Sequence, residues 1–432
     1  MLDSSDKGGL PLRSAAGYQF SPMIIALAGM LSLASAMGIG RFAFTPLLPM
    51  MLHENLVTLA GGGWLATANY IGYFLGAALC TLLPLYFSNH PLPLRIRGLI
   101  NPPVIVRSGL IATALLTLAM AGDWPWLWPA LRLLSGVASA VCFVFTSTWC
   151  LQRLTQMGAP QLSGLIFCGP GVGIMATGLA VSAMVARDWH AQIAWVVFGL
   201  VAVVLAFLAW QVMRPDQESP KLTGGSEAIS TISDSKTHYS LSGGNPQEVF
   251  LLTVAYGLAG FGYIITATFL PVIARHALPG SAWPDMFWPV FGLGVVFGGL
   301  LGTRLPMRWD QRDLLIGSYA VQCFGIMLGL WFPSVIGFVA SSFLVGAPLT
   351  AITLFAMREV RRLNALLAAS LMGLLTATYG IGQILGPPVA TALVRVDGSH
   401  ADFTLSLEVA ATMLMVGALI FLWLRWRYPV RT

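Results

Sequence analysis

The chain has 432 residues, of which 56% are hydrophobic and only 9% charged. A water-soluble protein uses about 25% of its residues as charge to solvate its surface, so a soluble globular fold is excluded and the apolar side chains must face lipid. The net charge of +6 arises from basic residues standing singly or in small groups between apolar runs, with no continuous basic face, which sets nucleic-acid binding aside.

Residues 1–20 form a short polar tail without the n-region and cleavage site of a signal peptide, so the first apolar stretch is expected to stay as an uncleaved anchor. A helix needs about 20 apolar residues to cross a bilayer core about 30 Å thick. Runs of that kind fall near 22–52, 59–87, 104–121, 125–152, 161–186 and 190–213, then near 248–275, 284–306, 313–331, 333–357, 366–392 and 402–426. The fold class expected is therefore an all-α membrane protein of twelve transmembrane helices. The five cysteines (Cys80, Cys142, Cys150, Cys168 and Cys323) lie in or beside these runs without CxxC spacing, which reads as buried small hydrophobes and no metal.

Charge placement orients the spans. With the N-terminus inside, the cytoplasmic side receives Lys7, Arg13, Arg95, Arg97, Arg107, Arg153, Arg214, Lys221, Lys236, Arg304, Arg308, Arg312, Arg358, Arg361, Arg362, Arg425, Arg427 and Arg431. The outer side receives only Arg187, Arg275 and Arg395. This asymmetry is what the positive-inside rule expects, and one span more or fewer would scramble it. An even helix count with both termini cytoplasmic follows, in the inner membrane of a bacterium.

Residues 214–247 interrupt the apolar pattern with Pro, Gly, Ser, Thr and charges of both signs. They read as a flexible cytoplasmic linker, a plain tether or a regulatory one, between a six-helix half in 1–213 and another in 248–432. The halves are related. Gly40-Arg-Phe-Ala-Phe-Thr-Pro-Leu-Leu-Pro49 aligns without gaps on Gly262-Tyr-Ile-Ile-Thr-Ala-Thr-Phe-Leu-Pro271, 222 residues on, which sets Tyr263 against Arg41. The same shift maps the pair Gly72 and Gly76 onto Gly294 and Gly298, while Gly169-Pro170 corresponds to Gly386-Pro387. These glycines and prolines read as helix-packing features. Repeated halves around a midplane site are a recurring transporter plan.

The twelve spans, the 6+6 division and the central loop resemble the major facilitator superfamily over residues 20–427. The stretches GIGRFAFTPLLPMM (38–51), TANYIGYFLGA (67–77) and YGLAGFGYIITATFLPVIA (256–274) are similar to its YbfB/YjiJ branch. Residues 132–140, RLLSGVASA, resemble the superfamily's fourth-helix motif, with Arg132 and Gly136 in its Arg and Gly positions, and the resemblance implies a part in proton handling for Arg132. Gly169-Pro170-x-x-Gly173 resembles part of the fifth-helix antiporter motif, with Ile174 in place of the last Gly. The acidic-plus-basic motif after the second helix is poorly kept, since Pro84–Arg97 has no Asp; Gly298–Arg304 is a closer remnant. The resemblance names a class and no substrate.

Arg41 lies well inside the first span between Gly38, Gly40, Pro46 and Pro49. A cation at such depth costs about 2.5–3.5 kcal/mol or more unless paired or hydrated, which makes function the default reading. It either faces a central cavity and attracts an anionic or polar substrate group, or braces helix carbonyls and snorkels to an interface. For Arg132, nearer a helix end, the same two readings stand, and snorkelling is easier. Asn69 and Tyr73 share one helix face, as do Tyr379 and Gln383. With Tyr263 they suit a cavity for an organic solute or interhelical hydrogen bonding.

Apart from Glu408 in the last span, the 17 acidic residues fall in tails, loops or helix ends. Proton-coupled transporters often titrate an intramembrane carboxylate, and none stands out, so proton coupling is not evident and no cofactor is expected. The six histidines also fall in loops or at helix ends, which argues against an intramembrane enzyme. No charged ring or re-entrant filter suggests a channel. The expected function is a secondary or facilitative transporter of a small organic solute, acting as a monomer in the lipid bilayer by alternating access. A multidrug- or sugar-type efflux proton antiporter and a membrane sensor that moves nothing are the alternatives.

Overall fold

The structure, a computed structural model, describes residues 20–89, 101–214, 245–281, 283–306, 309–363, 368–397 and 400–429. The sequence-predicted linker therefore lies, except at its ends, outside the described residues, as do Lys7, Arg13, Arg95, Arg97, Lys221, Lys236, Arg308 and Arg431.

Twelve helical rods run through the described residues. They are α1 (Pro22–His53), α2 (Leu59–Asn89), α3 (Pro102–Ala119), α4 (Trp128–Gln156), α5 (Pro160–Val185) and α6 (Ala191–Val212). The second six are α7 (Pro246–Ala277), α8 (Pro284–Arg304), α9 (Gln311–Trp331), α10 (Val335–Leu363), α11 (Ala368–Leu393) and α12 (Thr404–Arg427). Ten of them are long and apolar enough, over their described residues, to cross a membrane; the other two, α2 and α11, have 31 and 26 residues. A short antiparallel hairpin, β1 (Arg395–Asp397) with β2 (His400–Asp402), lies in the loop between α11 and α12 of this all-α fold.

The rods begin where the sequence supplies caps. Proline opens α1, α3, α7 and α8, where its missing N–H costs nothing. Ser21, Asn245 and Asp310 accept from free backbone N–H groups at the starts of α1, α7 and α9. Two rods are irregular. Residues Ala34–Phe42 of α1 adopt the wide π turn, and α5 breaks at Cys168, before Gly169 and Pro170. Pro170 offers no N–H to the Ile166 carbonyl one turn back, and the Cys168 N–H bonds the Leu165 carbonyl at 3.2 Å, a tighter turn than the α-helix.

Small residues set the close crossings. Gly72 and Gly76 of α2 lie on the backbone of α4 at Leu133 and Val137, and Gly136 of α4 lies on α2 at Asn69 and Tyr73. A side chain at Gly72 or Gly136 would run into a main-chain carbonyl, so only glycine permits this approach. In the last six rods, Gly294 and Gly298 of α8 meet Phe343 and Ala347 of α10, and Gly386 of α11 meets Ile264 of α7. Gly169 and Gly173 of α5 rest against Met30, Leu33, Ala34 and Gly38 of α1. The two sets of rods touch along α5–α8 and α2–α11, with Gly171 and Gly178 against Val296 and Pro289, and Gly63 and Phe74 against Thr391 and Gly380.

At the end of the bundle that holds the chain termini, Arg312 of α9 is fully buried although its position in the sequence reads as a loop charge. Its Nε donates to Glu359 of α10 at 2.6 Å, its Nη2 pairs with Glu248 of α7, and its Nη1 donates to the Leu424 and Tyr428 carbonyls at 2.8 and 2.6 Å. Arg362 adds two more bonds to Glu359, at 2.6 and 2.8 Å. One guanidinium thus ties the ends of α7, α9, α10 and α12. Arg312→Ala is expected to cost about 3–5 kcal/mol, because it leaves Glu248 and Glu359 buried with only the partly exposed Arg362 as counter-charge, and the unfolding temperature in detergent measures the loss.

Candidate functional site

The wide turn of α1 determines where the polar groups point. In a π turn each carbonyl seeks the N–H five residues on, and for Arg41 that residue is Pro46, which has none. A carbonyl left bare inside a membrane costs several kcal/mol, so side chains from neighbouring rods supply the donors. Arg132 of α4 donates from Nη1 to the Gly40 carbonyl at 3.2 Å and from Nη2 to the Arg41 carbonyl at 3.1 Å. Ser135 donates to the Gly40 carbonyl at 2.6 Å, and Ser139 to that of Ala36 at 2.6 Å. Asn69 of α2 donates to the Arg132 carbonyl at 2.9 Å.

Arg132 therefore does not snorkel. It is 2% exposed, and its guanidinium also stacks over Phe44 with 4.8 Å to the ring centroid. Of the two readings for Arg132, the geometry is that of a brace for carbonyls, and Asn69 belongs to the same brace.

Arg41 is different. Its side chain, 3% exposed, turns toward the second set of rods and donates from Nη2 to Gln383 Oε1 of α11 at 2.6 Å. Its guanidinium carbon lies 4.0 Å from the Tyr73 ring centroid, 5.1 Å from Phe42 and 5.3 Å from Tyr70. Cation–π contact of this kind contributes about 0.5–2 kcal/mol. Its Nε has no partner among the described residues. Gln383 passes the chain on, donating from Nε2 to the Tyr263 hydroxyl at 2.6 Å. Tyr379 stacks between Tyr263 and Tyr256, with centroids 5.7 and 4.7 Å away, and Tyr256 donates to Thr353 at 3.1 Å. Arg41 and Tyr263, matched by the internal repeat, thus meet through one glutamine.

The seven candidate residues accordingly divide. Arg41, Tyr73, Tyr263, Tyr379 and Gln383 form one connected group across the two sets of rods, whereas Asn69 and Arg132 support the α1 backbone behind it. Reasoning from the sequence missed Tyr70, Tyr256, Ser135 and Ser139. Arg132, Ser135 and Ser139 share one helical face by their spacing of three and four, and Tyr256 stands seven before Tyr263 on another; these spacings were the available signals. Arg41 and Arg132 lie close enough to repel each other, yet among the described residues no carboxylate pairs with either. Ion pairs form elsewhere, at His190, Arg275, Arg312, Arg362 and Arg425 among others. Glu408 sits exposed in the first turns of α12. No metal-holding cluster occurs among the described residues.

Beyond Arg41, toward the end opposite the termini, the two sets of rods close on each other. Pro271 leaves the Ala267 carbonyl of α7 without its helical donor, and Thr45 of α1 supplies one across the gap at 3.1 Å. Tyr70 and Thr268 bond at 2.9 Å beside it. Toward the termini, the Pro22–Leu33 segment of α1 packs with α4, α5 and α6, and Met23, Ile24 and Leu27 are exposed.

Long apolar rods in two sets, in contact along α5–α8 and α2–α11 and turning buried cations and tyrosines inward, define a multi-pass integral membrane protein of the transporter class. Residues 33–422 match the family described as the uncharacterised MFS-type transporter YbfB, and the chain belongs to that family of the major facilitator superfamily. Among solved structures it is similar to two crystal structures of the nucleoside transporter NupG. One, of a point mutant, has TM-score 0.68 and 16% identity over 93% of this chain and 99% of that one. The other has TM-score 0.67 and 14% identity over 94% and 99%. At this identity the likeness is one of fold. No curated protein matches the chain by sequence.

Because Arg132 holds two carbonyls and Arg41 none, their removal should differ. Arg132→Ala is expected to lower the unfolding temperature in detergent by an amount equivalent to about 2–4 kcal/mol, from two charge-assisted bonds at about 1.5–3 kcal/mol each, part of which other donors replace. Arg41→Ala is expected to lower it less.

Proposed function

We propose that the protein carries a small organic anion across the cytoplasmic membrane by alternating access, with Arg41 as the residue that contacts the anionic group. One observation carries the reading: two guanidinium groups are buried together with carbonyls, an amide and aromatic rings around them, and among the described residues no carboxylate pairs with either. A guanidinium has five N–H donors, and the bonds of Arg41 leave several unused. An anion arriving from water replaces Gln383 or joins it, and gains charge-assisted bonds in a place of low dielectric. The neighbouring Arg132 charge adds attraction without contact.

The tyrosines give the site its second preference. Tyr73 presents its ring face to Arg41, and Tyr263 meets Gln383 with its hydroxyl at the end of the Tyr263–Tyr379–Tyr256 stack, which suits a planar or ring-bearing substrate. NupG is a nucleoside transporter; here the tyrosines, and not the likeness of fold, put ring-bearing anions first in a screen.

In this scheme the contacts beyond Arg41 form the gate on one side, and the α5–α8 contact, which continues from Gly178 against Pro289 to Gly164 against Thr303, has to part on the other. The Arg41–Gln383 bond spans the two sets of rods, so a substrate that takes over Arg41 also changes how they are held together. With no carboxylate paired to Arg41 or Arg132 among the described residues, the scheme runs coupling through exchange of one anion for another or through the substrate's own proton. A small-molecule substrate and the bilayer are the only partners this scheme needs, and the monomer is its working unit.

The test is a screen of carboxylate and other anionic solutes on proteoliposomes, with and without a pH gradient, followed by counterflow with variants. Arg41→Ala is expected to weaken substrate binding at least about 30-fold, the equivalent of losing about 2 kcal/mol or more of buried charge pairing, while the protein still inserts and purifies. Undiminished counterflow in that variant removes Arg41 from the site. Preference for neutral or cationic solutes in the wild type removes the anion reading altogether.

A further inference from the structure

On the outer side of the first six rods, away from the candidate site, α3 and α6 run side by side and leave a groove of about 410 Å³ between them. Its lining is Ile111, Ala114 and Leu115 from α3 with Val203, Ala206 and Phe207 from α6. Ala114 and Ala206 are buried and form the floor, while Ile111, Leu115, Val203 and Phe207 stand exposed as its walls. From Val203 to Trp210 the groove follows two turns of helix, about 10 Å.

The groove is apolar along its length and ends in positive charge. At its end nearer the termini it reaches Trp210 and Gln211. There Arg107 of α3 lies over the Trp210 ring, 4.4 Å from its centroid, and donates from Nη2 to the Trp210 carbonyl at 2.8 Å. Its Nε has no partner among the described residues. Arg214, just past the end of α6, donates to Gln211 at 3.4 Å and is close enough for its charge to repel that of Arg107. Two like charges are thus held at the mouth of an apolar trough, and among the described residues no carboxylate pairs with either.

We propose that this is a binding site for an anionic glycerophospholipid, with its phosphate between Arg107 and Arg214 and one acyl chain in the α3–α6 groove. The two parts of the site need one ligand that carries both properties. A free phosphate leaves the trough unused, and a zwitterionic lipid brings its own cation to a place that already has two. Each basic residue near a membrane surface contributes about 1 kcal/mol toward an anionic head group, so the pair confers a preference of about tenfold or more.

The purified full-length protein in detergent is titrated with phosphatidylglycerol, phosphatidylcholine of the same chains, and glycerol 3-phosphate, and read by unfolding temperature and by lipid adducts in native mass spectrometry. Phosphatidylglycerol is expected to raise the unfolding temperature of the wild type and to remain bound as an adduct. In Arg107→Gln/Arg214→Gln its apparent affinity should fall at least about tenfold, to that of phosphatidylcholine. Val203→Trp, which fills the trough from an exposed wall, should weaken the lipid while both arginines remain. Equal shifts from the two lipids, an undiminished shift in the double variant, or the same shift from glycerol 3-phosphate each overturn the proposal.

Discussion

Inside a bilayer a backbone carbonyl has no water to turn to, and the wide turn in α1 releases several of them in the middle of the protein. The surroundings are arranged around that constraint. Pro46 removes the donor that the Arg41 carbonyl would take, and Arg132, Ser135 and Ser139 of α4 restore donors to this stretch from the side. The glycines at the α2–α4 crossing bring these rods to backbone contact, which holds the arginine and the serines in reach. The same wide turn carries Arg41 toward the second set of rods, where Gln383 accepts it. Local backbone irregularity and the placement of the central cation are therefore one feature.

Two ways of burying arginine stand side by side in this fold. Arg312 is met by Glu248 and Glu359 and by two carbonyls, a neutralised cluster that fastens helix ends together. Arg41 is met by an amide oxygen and ring faces, with no fixed negative charge among the described residues. Supplying a permanent carboxylate to Arg41 would satisfy it in every state and remove its attraction for anything mobile. Leaving it short of partners is costly to stability, and that cost is the reason to connect this residue and not Arg312 with transport.

Much of this was legible in the sequence because membrane spans are written in long apolar runs and in the placement of Lys and Arg. Arg41 stood out as a charge deep in a span, and the internal repeat set Tyr263 against it before any contact was known. The division of labour between the two inner arginines was not legible. It follows from the π turn, and no residue pattern distinguishes a wide turn from an ordinary one beyond the nearby glycines and Pro46. The Arg312 cluster was hidden for another reason: its members are far apart in sequence and sit at helix ends, where charge normally reads as solvated. Tyr70 and Tyr256 were passed over because a tyrosine in a membrane helix is so often only packing or an interface anchor.

The contact between Thr45 and the Ala267 carbonyl joins two positions that the internal repeat treats as equivalents, 222 residues apart, so it lies where the pseudo-two-fold axis passes between α1 and α7. The acceptor is available only because Pro271 interrupts its own helix. A bond of this type is worth about 0.5–1.5 kcal/mol net when water can take either partner's place. In the alternation proposed above, parting the rods at that end admits water, and both groups exchange one partner for another at little cost. In that scheme the proline provides a clasp weak enough to undo and re-form with each cycle.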